Sequence, residues 1–196
     1  RLSEKGIDWA WYAGGWSDAL AGHPDPSFQF HHQPYVYFAR YAEGTDAREQ
    51  HLKDSAEFEK AIETGDLPAV AFYKPLGRLN EHPGDTNLLE GEEHVAALLK
   101  KLETSPQWPH MVVIVTYDEH GGYWDHVPPP KGDRFGPGSR IPTLIISPFS
   151  GGGRVDSTVY DTTSILKLIE ERFEVDPLGE RDRKVNSLAK ALKFGG

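Results

Sequence analysis

The chain has no cysteine, so neither a disulfide framework nor a thiolate metal site can form. That absence alone assigns no compartment. No apolar run approaches the ~18 residues needed to cross a bilayer, so no integral membrane segment is expected. Lys and Arg number 21 against 30 Asp and Glu, a formal net charge of −9, and no basic block stands out. This balance argues against a nucleic-acid partner, whose affinity needs a basic footprint. An anionic substrate would have to be drawn by local charge, a metal or a few cations, rather than by the field of the whole molecule. Short catalytic signatures are missing as well: the chain holds no G-x-S-x-G elbow, no P-loop and no H-E-x-x-H. What remains is 196 residues without repeats or low-complexity tracts, one domain's worth of chain and enough for a sizeable core.

The chemistry gathers in residues 111–130, MVVIVTYDEHGGYWDHVPPP. Met111 to Thr116 are apolar or β-branched without alternation, which predicts a strand buried on both faces, as in parallel sheets. Asp118, Glu119, His120, Gly121, Gly122, Asp125 and His126 follow at once. Ligands of open α/β sheets bind beyond the carboxyl ends of strands, so adjacent acids there are candidate metal ligands. The glycines let the backbone turn sharply and leave room for substrate. A lone Asp-Glu pair would more simply be a solvated turn; two further histidines and two glycines within ten residues favour the functional reading.

Elsewhere, strands and helices alternate. Short strands are expected at 8–13 and 69–73, and a third buried run at 141–147. Asp54 caps a helix over 54–64, with Glu57 at the capping-box position and Gly65 closing it. Residues 87–102 carry Leu88, Gly91, Val95, Leu98, Leu99 and Leu102 on one helical stripe, with His94 at its margin. Asp161 opens a helix that runs to about Phe173, and a weak helix is expected over 186–193. The proline in His31-His32-Gln33-Pro34 predicts extended backbone, so that only one of the two histidines faces any given site. Trp9, Trp11, Tyr12 and Trp16 read as core packing, with an aromatic substrate platform as the alternative. The fold class is therefore α/β, a mainly parallel sheet with helices on both faces.

The string TYDEHGGYWDHVPPP resembles the signature of the bacterial phosphoesterase family that contains AcpA-type acid phosphatases and non-haemolytic phospholipases C. FHHQPYVYFARY, NEHPGD, GEEHVAALL, SRIPTLIISPFS and YDTTSILKLIEERF extend the likeness along nearly the whole chain, in matching order and spacing. The resemblance implies an alkaline-phosphatase-like fold, of which residues 1–196 would form the carboxy-terminal portion of a single domain. RLSEKGIDW resembles the middle of a family sequence, so an upstream part is expected. The family's Glu-Asn metal ligands, a further histidine and its nucleophilic Ser or Thr lie in that part, and none of those strings occurs here.

The resemblance makes His31, His32 and His94 catalytic residues of a phosphate pocket, and Asp118 and Glu119 ligands of a divalent metal ion. His126 is the candidate for substrate contact, with Asp125 bracing its loop; His82 and His120 receive no role. Carboxylate oxygens suit Mg, Ca, Mn or Zn. Imidazoles can stabilise phosphoryl charge or protonate a leaving oxygen. The expected activity is hydrolysis of a phosphate ester by a periplasmic or secreted enzyme. An acid phosphatase is favoured, because GPGSRIPTLIISPF looks like that branch. The alternatives are a phospholipase C or a non-catalytic domain that binds a metal or a partner. The 196 residues alone are expected to be weakly active or inactive.

Overall fold

The computed structural model describes residues 1–84 and 86–193. They fall into two compact units, Leu2–Trp108 and Pro109–Gly196, with Arg1 belonging to the second. The amino-terminal unit carries β1 (Trp9–Ala13), α1 (Trp16–Leu20), α2 (Asp46–His51), β2 (Leu52–Asp54), α3 (Ser55–Thr64), β3 (Val70–Lys74) and α4 (Leu88–Thr104). Its three strands form a parallel sheet in the order β2-β1-β3, with Trp11 opposite Leu52 and Trp9 to Ala13 opposite Val70 to Lys74.

The middle position explains the composition of β1. Alternate side chains of a strand serve opposite faces, so a central strand needs large apolar groups on both. Tyr12 points to one face, where it packs on Phe58 of α3 with ring centroids 4.9 Å apart, and Phe58 stacks in turn on Tyr73 of β3 at 4.9 Å. Burial pushes the Tyr12 hydroxyl up to about 12. Trp9 and Trp11 point to the other face; Trp11 stacks on Phe72 at 5.3 Å, and both tryptophans meet Tyr35. Trp9, Tyr12 and Trp16 are buried, in agreement with the packing role expected of them.

Helix α3 shows why its limits were legible. The Asp54 carboxylate accepts the Ala56 N–H at 3.0 Å, Glu57 reaches back to accept the Asp54 N–H at 2.9 Å, and Gly65 closes the helix with φ 76°. Both exchanges satisfy amides that the first helical turn leaves unpaired. Asn87 caps α4 in the same way, accepting the Leu89 N–H at 3.0 Å.

The carboxy-terminal unit carries β4 (Val113–Thr116), β5 (Thr143–Ile146), α5 (Thr163–Phe173) and α6 (Glu180–Lys184). Here several expectations are corrected. β4 pairs with β5 in antiparallel fashion, Val113 opposite Ile146 and Thr116 opposite Thr143, as a two-stranded sheet. β4 is also half-buried rather than covered on both faces, and Thr143 and Leu144 of β5 are exposed. A parallel return would need a crossover, usually helical, whereas residues 117–142 form a Gly/Pro loop without a helix. The weak helix expected over 186–193 is a short 3-10 turn at Leu188–Ala191, preceded by α6. The chain is thus an α/β protein with a parallel sheet and helices around it, as its sequence implied.

Candidate active site

His31 and His32 lie not on extended backbone but in a 3-10 turn, Phe30–His32. Tertiary bonds impose it: the Trp11 indole N–H donates to the His32 carbonyl at 2.7 Å, and His32 Nδ1 lies 3.2 Å from the Pro75 carbonyl. A carbonyl can only accept, so Nδ1 carries the proton in the neutral ring. The rings of His31 and His32 meet edge to face at 4.8 Å. His32 is buried while His31 is exposed, so the two still serve different environments. Gln33 beside them is fully buried, and neither of its side-chain polar atoms has a partner among the described residues. An unmet demand of that kind costs roughly 1–3 kcal/mol.

The Pro75 carbonyl owes its place to two close approaches. A Cβ on Gly14 would lie 2.3 Å from the Leu76 amide nitrogen, and one on Gly77 would lie 1.9 Å from the Ser27 carbonyl oxygen. Only glycine permits such contacts. Residues 75–77 are thereby clamped just past the carboxyl end of β3, the end at which open α/β sheets hold ligands.

His94 reaches the same strand from α4. Its Nε2 is 2.8 Å from the Tyr73 hydroxyl, one residue before the end of β3. Burial lowers the His94 imidazole below its usual 6.5; the Glu59 carboxylate opposes this, while Arg78 and Lys101 reinforce it. Glu59 is itself paired with Lys101. His94 is therefore mainly neutral at pH 7, suited to donate a hydrogen bond rather than a full positive charge. The amino-terminal unit thus attaches two of its three candidate imidazoles at the carboxyl end of β3, one through Pro75 just past the strand and one through Tyr73 within it.

In the carboxy-terminal unit, Asp118 and Glu119 follow β4 and are exposed. Glu119 accepts the Gly121 N–H at 2.7 Å, closing the turn that the glycines allow. Farther along, Asp125 receives both arms of the Arg140 guanidinium at 2.8 Å and the Val127 N–H at 3.0 Å. These bonds hold its carboxyl well below the usual carboxylate range. His126 is exposed, with Nδ1 3.8 Å from Asp125. Asp125 is therefore the brace of this loop, tying it to the residues just before β5.

The brace gives an expected pH response. The Asp125 carboxyl titrates lower when folded than when unfolded, so the clasp is fully present above the unfolded value of about 4 and is lost as pH falls through the folded one. Asp125→Asn is expected to speed amide exchange at residues 125–127 near neutral pH. It should also remove most of the change in Trp124 emission that wild type shows on acidification. Equal exchange in both proteins would contradict the clasp.

For a metal ion the donors fit in kind, since hard carboxylate oxygens suit a hard divalent cation. They fall short in number. Among the described residues no three His, Asp or Glu side chains are grouped to hold a metal, and two carboxylates make half a ligand set at most. Sequence reasoning also passed over His51. It is buried, stacked on Trp9 at 4.1 Å, and bonded through Nδ1 to the Trp9 carbonyl at 2.7 Å, a packing role. Tyr73 went unnoticed as well, because no spacing along the chain links a strand residue to a helix 21 positions later.

The phosphoesterase family model matches residues 1–176 of this chain. The chain belongs to the phosphoesterase family. Relatives of this chain include the non-hemolytic phospholipase C of Pseudomonas aeruginosa, 32% identical over 56% of this chain and 20% of the relative. Phospholipase C A of Mycobacterium tuberculosis is 32% identical over 70% of this chain and 32% of its own length. Non-specific phospholipase C6 of Arabidopsis thaliana is 30% identical over 61% and 29%. The match thus spans no more than about a third of each of these relatives. No helix among the described residues is long and apolar enough to cross a membrane.

Proposed function

We propose that this chain takes part in metal-assisted hydrolysis of a phosphate ester, with family membership as the observation that carries the reading. In this reading Asp118 and Glu119 supply part of the ligand set of a divalent cation, which when bound offsets phosphoryl charge as a Lewis acid. His94, held neutral by its burial, donates a hydrogen bond to a phosphoryl oxygen. His32, tied to Pro75, orients its ring for the same task, and His31 at its exposed edge is the candidate proton donor to the leaving oxygen. Asp125 sets the loop from which His126 contacts substrate. In this reading the nucleophile and the remaining ligands come from an amino-terminal segment, as the resemblance implies, and export from the cytoplasm goes with the same likeness.

Two substrate classes remain. GPGSRIPTLIISPF favours a phosphomonoester and an acid phosphatase; the relatives, named as phospholipases C, favour a phosphodiester headgroup. Hydrolysis of p-nitrophenyl phosphate and p-nitrophenyl phosphorylcholine separates them. Both are to be assayed on this chain alone and on the chain complemented with the amino-terminal segment of phospholipase C A. Complementation is expected to raise turnover of the monoester more than of the choline ester; preference for the choline ester selects phospholipase C. No turnover of either ester, with tight metal binding retained, would instead favour a binding domain.

A further inference from the structure

The contact between Tyr73 and His94 has a direction. The Tyr73 hydroxyl has no other hydrogen-bond partner among the described residues, and neither does the His94 ring. Tyr73 is held in place independently, its ring stacked on Phe58 with planes 15° apart. A phenol is the better donor and a neutral imidazole nitrogen the better acceptor. If His94 Nε2 carried the proton, the half-buried phenolic O–H would be left without an acceptor. Burial, with Glu59 and Asp54 nearby, raises the Tyr73 hydroxyl above its usual range, so it keeps its proton at any working pH.

We propose that Tyr73 is a positioning residue whose hydroxyl donates to His94 Nε2 and fixes the ring as the Nδ1–H tautomer. Nδ1–H is then the donor offered to a phosphoryl oxygen, a role that rests on the function proposed above. The logic is that of orienting partners behind metal-bound histidines, where the hydrogen bond at one nitrogen decides what the other presents. Histidine free in water favours Nε2–H, so the hydroxyl works against the intrinsic preference of the ring.

The test is heteronuclear NMR of this chain labelled at histidine, with the His94 signals assigned by their loss in His94→Gln. Wild type is expected to show a protonated Nδ1 and an unprotonated, hydrogen-bonded Nε2. Tyr73→Phe keeps the ring stack and is expected to move His94 toward Nε2–H while the other histidines stay unchanged. An Nε2–H signal in wild type, or the same tautomer in both proteins, overturns the proposal. In the complemented protein Tyr73→Phe is expected to lower kcat about tenfold with KM within about twofold, the scale of lost orienting contacts. A tautomer change with unaltered kcat upholds the positioning by Tyr73 and counts against His94 in the reaction, so the two failures stay distinct. If Tyr73→Phe shifts signals throughout the unit, Tyr73→Leu provides a second variant with no side-chain donor, and an unchanged His94 tautomer there also overturns the proposal.

Discussion

Replacing Asp118 with asparagine is expected to reduce phosphate-ester turnover of the complemented protein roughly 100- to 1,000-fold. Lewis-acid stabilisation is worth several kcal/mol, and each ~1.4 kcal/mol is a factor of ten. The loss should fall on kcat, because a cation offsets charge that grows in the transition state. Asp118 is exposed, so the substitution costs little folding stability, and melting should stay close to wild type. Glu119→Gln is expected to follow the same direction. His126→Gln should change KM more than kcat. Steady-state kinetics with excess divalent metal measure all three; a twofold loss or less in Asp118→Asn would remove it from the site.

Gly77→Ala is expected to be the most damaging change to the amino-terminal unit. The new Cβ would meet the Ser27 carbonyl oxygen at 1.9 Å and the Gln29 Cγ at 3.3 Å. The first of these contacts is backbone, which cannot swing aside as the end of a side chain can. Overpacking usually costs 1–3 kcal/mol, and a rigid neighbour puts this case near about 3 kcal/mol, a fall in Tm of about 6–12 °C. Because Gly77 sits two residues past the Pro75 carbonyl that holds His32, the damage should reach the site as well. Turnover in the complemented protein should drop even below the melting transition. Gly153, where an added Cβ would meet nothing within 4 Å, is the control, and Gly153→Ala should melt within about 1 °C of wild type. Equal melting of the two variants would show that the clamp on residues 75–77 is absent.

How much of this was legible in the sequence depends on how far apart the deciding atoms lie. The Asp54 capping box was readable because its donors and acceptors fall within four residues. The apolar stripe of α4 was equally local. The β4 run announced a strand, but β-branched composition does not say how many faces are covered or which partner pairs with it. The turn at His31 and His32 was misread because a tryptophan and a proline carbonyl, 21 and 43 residues from His32, decide its geometry. α2 and β2 escaped notice since each is short and polar, although Thr45, which accepts the Arg48 N–H at 3.3 Å, was a readable cap. The site residues were named through likeness to a family; their spacing alone would not have chosen His94 over His51, which differ only in what surrounds each ring.

The central claim is that the paired acids after β4 hold a cation that acts on a phosphate ester. Isothermal titration of zinc, manganese or calcium into the chelator-treated, complemented protein addresses it most directly, with turnover followed in the same samples. The expected result is one saturable site per chain, absent in the Asp118→Asn/Glu119→Gln double variant, with ester hydrolysis by the complemented protein rising along the same binding curve. Binding that is identical in wild type and the double variant, or turnover unaffected by chelation, would contradict the account.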